Sequence, residues 1–216
     1  MAIPLNRLTI TCFRLILSSK TRKIADWLVE QLHRPRHIMC SNSRSMQDLE
    51  GIFRELVSRY SEQLYWHIRG FVDSHEDADD LLQETFLKAW KALPDFRGDS
   101  GHFTWLWRIA TNEALGYLRK KRVRAALQFE PLDAKAERVI DSDPWFDGDA
   151  AERELSKVIA ALPDKQRTVF IMRYYEDLSY EQISEITGTS VGALKASYFH
   201  AVQRIRERVK DFSSGD

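Results

Sequence analysis

From Asp48 onward the apolar residues fall into helical register. Leu49, Ile52, Phe53, Leu56, Val57, Tyr60, Leu64 and Ile68 mark one face of a long amphipathic helix that Gly70 ends. Ala78, Leu81, Leu82, Thr85, Phe86, Ala89 and Trp90 mark a second helix over Glu76–Trp90. Ser74 is placed to cap it, with Asp77 as capping-box partner. Asp77, Asp79 and Asp80 occupy its first turn, where carboxylates complement the helix dipole, and Pro94 stops it. Gly98 and Gly101 make Phe96–His102 a loop. A third helix is predicted from about Phe103 to Arg122, with Phe103, Leu106, Trp107, Ala110, Ala114 and Leu118 on its core face. Thr104, Arg108, Asn112 and Arg119 lie off that face, and the helix finishes in the basic run Arg119–Arg122.

The period then breaks. Pro131, Pro144, Gly148 and the aspartates Asp141, Asp143, Asp147 and Asp149 describe a flexible acidic linker over residues 123–150. Helical spacing resumes with Ala151–Ala161, where Leu155, Val158, Ile159 and, just beyond, Leu162 face inward. Pro163 opens a helix over Asp164–Tyr175, and Ser179 with Gln182 forms a capping box for a short helix ending near Gly188. Thr189 or Ser190 caps a last long helix through about Lys210. Short helix, glycine turn and long helix together are a helix-turn-helix signature. Ile183, Ile186, Val191, Leu194, Val202, Ile205 and one of Tyr198 or Phe199 would hold it together. The fold expected is all-α: two small helical domains joined by the acidic linker, the second carrying the helix-turn-helix.

Composition narrows the function classes. The 216 residues are 44% hydrophobic and 30% charged, and 32 basic side chains balance 32 acidic ones. Neutrality alone argues against a nucleic-acid partner, but the charge is unevenly placed, and local patches decide such binding. Residues 1–47 carry eight basic and two acidic side chains, residues 123–150 three basic and seven acidic. The exposed side of the last helix is basic, with Lys195, Arg204, Arg206, Arg208 and Lys210 against Glu207. Cys12 and Cys40 make no disulfide framework, which suits a reducing cytoplasm. No run approaches the roughly 18 apolar residues of a membrane span. Leu8–Leu17 is apolar but is interrupted by Arg14 and lacks a convincing small-residue cleavage site, so it is not taken as a signal peptide. Ile24, Trp27, Leu28 and Leu32 could line one amphipathic helix. His33, His37 and Cys40 lack a complete ligand shell, so neither a metal nor any other cofactor is expected.

Off the core face of the second helix runs another stripe, Asp80, Gln83, Glu84 and Leu87. Two readings fit it: a solvated face, or a docking face in which charge steers a basic partner and an apolar anchor holds it. The run D-A-D-D-L-L-Q-E-T-F-L-K-A-W resembles the polymerase-binding helix of bacterial sigma factors, especially the small extracytoplasmic-function (ECF) group of the sigma-70 family. The string F-R-G-x-S…T-W-L-x-R-I-A-x-N…L-R-K-K-R is similar to the promoter-melting segment of that group, and LPDKQRTVFIMRYYEDLSYEQISEITGTSVGALKASYFHAVQRIRE resembles its −35-binding domain. The resemblance spans roughly Met46–Lys210.

It implies a domain order: an extension of unassigned role at 1–47, appended or translated ahead of a later start; region 2 at 48–122; the linker at 123–150; and region 4 at 151–216. It implies that Asp80, Gln83, Glu84 and Leu87 dock on core RNA polymerase. Phe96, Arg97, Gly98 and Ser100 would fall in a loop that holds a flipped −10 base, with Arg108, Asn112 and Arg119 on the helix that reads its neighbours. In the second domain Ser190, Lys195, Ser197 and Tyr198 would read −35 bases, with His200 and Arg204 nearer the phosphates. Partners implied are core RNA polymerase, promoter DNA and a membrane-linked anti-sigma factor, in the cytoplasm, with no small-molecule substrate. Two departures stand out. Gly116 replaces the acidic residue of many relatives, and Ser197 and His200 stand where many have arginine.

Two other classes remain for comparison. A helix-turn-helix regulator acting without polymerase explains the second domain but leaves the first without a purpose. An enzyme would need Asp77, Asp79, Asp80 and Glu84 to hold a metal, yet these crowd one helix with no phosphate loop and no paired nucleophile and base. No catalytic residue is assigned.

Overall fold

The computed structural model describes residues 46–128 and 150–213, with side chains described for 47–127 and 155–209. The expectations for Leu8–Leu17, Ile24–Leu32, His33, His37 and Cys40, and those for the acidic tether at 129–149, lie outside the described residues. What is described is helical throughout: α1 Met46–Arg69, α2 His75–Ala92, a 3₁₀ turn Leu93–Asp95, α3 His102–Gln128, α4 Ala150–Ala160, α5 Asp164–Phe170, a π-helical turn Ile171–Tyr175, α6 Tyr180–Thr187 and α7 Val191–Ser213.

These residues gather into two compact units. The first combines 46–62 with Phe86–Phe96. Leu49, Phe53, Leu56, Val57, Phe86, Ala89 and Leu93 are buried there. The ring of Phe53 meets Phe86 edge-on at 6.1 Å and Trp90 at 5.1 Å, the geometry aromatic quadrupoles favour.

The second unit combines Gln63–Thr85 with 97–128 and 150–213. The faces read from the spacing are buried: Leu64, Ile68, Ala78, Leu81 and Leu82 from α1 and α2, Leu106, Trp107, Ala110, Ala114 and Leu118 from α3. Phe71 and Val72, in the α1–α2 loop, are buried with them. Gly70 N–H bonds the Trp66 carbonyl and ends α1. At the start of α2, Ser74 Oγ accepts from the Asp77 N–H at 3.1 Å, as a cap should. The return contact differs from a capping box, because the Ser74 hydroxyl itself donates to the Asp77 carboxylate at 2.7 Å. Farther along, Ile159, Leu162, Phe170 and Ala201 form a cluster with Leu155, Tyr198, Val202 and Ile205 packed against it.

Four details depart from the sequence reading. The helix α3 continues six residues past Arg122 to Gln128, since Val123–Gln128 contains no breaker and mostly good helix formers. Thr104 is buried, not off the core face. The helix expected as Asp164–Tyr175 widens into a π turn at Ile171. Arg167–Met172 are six consecutive buried residues, which a helix of 3.6 residues per turn would rotate to different sides. Finally, α4 lies one residue earlier than expected, a shift that terminal fraying explains.

Candidate polymerase and promoter interface

On α2, Asp80 and Glu84 are exposed while Gln83 and Leu87 are half-buried. Positions 80, 83, 84 and 87 cover two turns of one side, a strip about 10 Å long at 1.5 Å rise per residue. Two acids beside the start of α2, Asp73 and Asp77, are engaged elsewhere. Tyr117 of α3 hydrogen-bonds Asp77, and burial, with Asp77 and Asp73 adding to it, raises the phenol above its ordinary range. Lys121 Nζ donates to Asp73 at 2.5 Å. These ties fix the α2 amino end against α3.

The segment after the 3₁₀ turn holds the next group. Phe96 N–H bonds the Leu93 carbonyl at 3.2 Å. Arg97 and Gly98 are exposed, Phe96 and Ser100 half-buried. Gly98 sits at φ +78°, a left-handed conformation that a side chain resists, so the turn depends on glycine here. On α3, Arg108, Asn112 and Arg119 are exposed along one side, an i, i+4, i+11 stripe. The helix passes Gly116 unbroken.

The α6–α7 pair is set by local chemistry. Ser179 and Gln182 complete the expected capping box, each side chain bonding the other's backbone N–H at 3.1 and 2.8 Å. Gly188, at φ +68°, ends α6 with its N–H on the Ser184 carbonyl. Leu194 N–H then bonds the Ser190 carbonyl as α7 begins. Ile183, Ile186 and Leu194 are buried between the two. Ser190, Lys195, His200 and Arg204 are exposed and Ser197 is half-buried. Lys195 Nζ lies 5.6 Å from the centre of the Tyr180 ring.

The choice between the two neighbouring aromatics is resolved. Tyr198 packs inward, its ring stacked on Phe170 at 6.0 Å and edge-on to Tyr180 at 6.3 Å. Burial, with Tyr180 nearby, raises its phenol above the usual value. Phe199 faces outward at 57% exposure, one turn beyond Lys195. Sequence reasoning did not name Phe199 as a contact residue. The signal available was its place at i+4 from Lys195, on the same side of the helix.

Also missed was a polar trio, with His67 and Thr111 buried and Glu176 half-buried. His67, fully buried on α1, bonds Glu176 Oε1 through Nδ1 at 2.6 Å and Thr111 Oγ1 through Nε2 at 2.9 Å. Trp107 Nε1 donates to Glu176 Oε2 at 2.7 Å. Thr111 donates its one proton to the Trp107 carbonyl at 2.7 Å, so toward His67 it accepts. Burial works to raise the Glu176 carboxyl, but His67 and Trp107 outweigh it and hold it below its ordinary value. Glu176 thus joins α1 to α3 through its two oxygens.

Family models match both parts of the chain. Sigma-70 region 2 matches residues 56–124, and Sigma-70, region 4, matches residues 152–205. The chain is 32% identical over 176 residues to the ECF RNA polymerase sigma-E factor of Haemophilus influenzae, covering 77% of this chain and 92% of that protein. It is 32% identical over 169 residues to the RNA polymerase sigma-H factor of Pseudomonas aeruginosa, covering 71% and 83%. The chain belongs to the extracytoplasmic-function sigma factors of the sigma-70 family. This sigma factor binds core RNA polymerase and directs it to promoters to start transcription. Its fold is also that of two solved sigma-factor complexes. One is sigma factor RpoE with anti-sigma factor NepR from Bartonella quintana, at TM-score 0.58, 24% identity, 74% of this chain and 97% of that one. The other is CnrH with the cytosolic domain of CnrY, at TM-score 0.51, 24% identity, 79% and 94%. Among the described residues of this sigma factor no helix is long and apolar enough to cross a membrane, and no three His, Cys, Asp or Glu side chains stand together as metal ligands.

Proposed function

We propose that residues 48–122 act as region 2 and 151–216 as region 4, that 123–150 join them with the first six residues continuing α3, and that 1–47 is an extension outside both. Asp80, Gln83, Glu84 and Leu87 form the polymerase-docking strip: two exposed carboxylates steer a basic surface and the half-buried Leu87 anchors it. Phe96, Arg97, Gly98 and Ser100 capture an unstacked −10 base. Arg108, Asn112 and Arg119 track the strand beside it, as a basic groove edged with aromatics suits single-stranded DNA. Ser190, Lys195 and Ser197 face −35 base edges, and His200 and Arg204 meet phosphates. Tyr198 seats the helix from the core side, while Phe199 offers an apolar edge of the kind that meets a thymine methyl. The protein is a binding subunit and not an enzyme, acting in the cytoplasm where the polymerase is. An anti-sigma factor is a fitting further partner, since the two solved neighbours are complexes with the anti-sigma factor NepR and with the cytosolic domain of CnrY.

One observation carries this reading: a capped, glycine-turned helix pair whose second helix exposes Lys195, His200 and Arg204 follows, in the same chain, a helix exposing Asp80 and Glu84. A plain helix-turn-helix regulator has no use for the second feature. The test is run-off transcription by purified core polymerase on genomic fragments, with and without the protein. Discrete new transcripts support the reading. Specific duplex binding by the protein alone, with no transcripts, would replace it with the plain regulator.

A further inference from the structure

The proposed −35 surface of α7 carries little fixed positive charge. Among Ser190, Lys195, Ser197, His200 and Arg204, only Lys195 and Arg204 are of residue types that stay charged between about pH 6 and 8. His200 is the one histidine of α7. Histidine is the side chain whose charge ordinarily changes within that interval. A proton on it takes the cations of this surface from two to three, a large change for a helix that meets a polyanion.

His200 is exposed, and its ring lies 5.8 Å from that of its neighbour Phe199, inclined at 70°. Among the described residues it makes no hydrogen bond and no ion pair. Along its own helix, Arg204 stands one turn on and Glu207 two turns on, opposite in sign. The elements packed against α7 are α4, α5 and α6. Their described charged side chains are Lys157, Asp164, Lys165, Arg167, Glu181 and Glu185, and none of them pairs with His200. Tyr180 of α6 is turned to Tyr198 and Lys195 instead. One turn before His200 the same side of α7 carries Ala196, exposed and short, so a duplex laid along that side can come within reach of the imidazole. Nothing in the protein holds this side chain in one charge state, and the DNA is free to do so.

We infer that His200 makes −35 binding proton-linked: it meets a DNA phosphate as an imidazolium, and this sigma factor grips its promoters more tightly as pH falls. The inference rests on the proposed −35 role of α7 and adds how that contact is regulated. A phosphate beside the ring favours its charged form, so binding and protonation strengthen each other, and the complex takes up a proton as it forms. An arginine, which many relatives have here, would give a charge that does not answer to pH.

The test uses the full chain as holoenzyme with purified core polymerase, on a labelled promoter fragment chosen by run-off, at fixed ionic strength. Expected for wild type is about tenfold tighter binding at pH 6 than at pH 8, the order of one hydrogen bond to a charged group. The slope of log affinity against log salt should also be steeper by about 0.9 at pH 6, the signature of one more phosphate neutralised. His200→Gln should bind at both pH values as wild type does at pH 8, and His200→Arg as wild type does at pH 6. Every other histidine, and the polymerase, is common to the three proteins, so their differences isolate position 200. On a fragment cut short of the −35 element the three should be alike. A wild-type pH profile parallel to that of His200→Gln overturns the inference, and so does a difference that persists on the shortened fragment. A wild-type holoenzyme that binds full and shortened fragments equally at both pH values would instead sink the −35 reading beneath it, and the proton linkage with it.

Discussion

Ile171 closes on Gly70. A methyl group on Gly70 would sit 3.0 Å from Ile171 Cγ2, 3.1 Å from its Cδ1 and 3.3 Å from the His67 carbonyl oxygen. The last of these is backbone and cannot rotate away. Gly70→Ala should therefore cost about 1–3 kcal/mol, the usual range for overpacking a filled core. Urea unfolding checks this, and a midpoint equal to wild type would show that the packing yields.

Gly116 is the opposite case. A Cβ there meets nothing nearer than Arg119 Nη2 at 3.9 Å, an ordinary contact with a flexible side chain. Gly116→Ala should stabilise α3 by about 0.5–1 kcal/mol, because it removes unfolded-state freedom without strain. A rise of roughly 1–4 °C in Tm is the expected reading.

Asp80 and Glu84 are like charges one turn apart and both exposed. Reversing both, Asp80→Lys with Glu84→Lys, keeps the repulsion between them and changes only what they offer a partner. Stability should move by no more than about 0.5 kcal/mol. Affinity for core polymerase, measured by titration of labelled protein, should be lost. Retained affinity would remove this strip from the docking surface.

Glu176 gives the chain an acid response of known sign. Its folded-state carboxyl lies below the ordinary value of 4.5, to which it returns on unfolding, so the unfolded chain binds more protons between the two. Its contribution is complete above that ordinary value and is lost as pH falls through the lowered one. Urea midpoints taken from neutral pH down to about pH 3 should drop more steeply for wild type than for Glu176→Gln. Parallel curves would mean that the carboxylate is not the group responsible.

What the sequence displays is whatever neighbours decide. The faces of α1 and α3 follow from apolar spacing alone, and the α6 cap is visible because Ser179 and Gln182 are three residues apart. Adjacent Tyr198 and Phe199 stand about 100° apart around α7, so spacing leaves the choice of the buried ring open, and Phe170 stacked on Tyr198 with Tyr180 edge-on to it decides it. The π turn is hidden because the apolar run Val169–Met172 satisfies helical and non-helical patterns alike. His67, Thr111 and Glu176 carry no local signal, since each looks like an ordinary polar residue in its own helix or loop.

That last separation has a consequence for synthesis. Trp107 and Glu176 are 69 residues apart, and ribosomes add roughly 5–20 residues per second, so for about 3–14 s the nascent chain holds His67 and Trp107 without their carboxylate. During that interval α1–α3 have only their own contacts to fold on, and burial of His67 beside a carboxylate comes late in each round of synthesis.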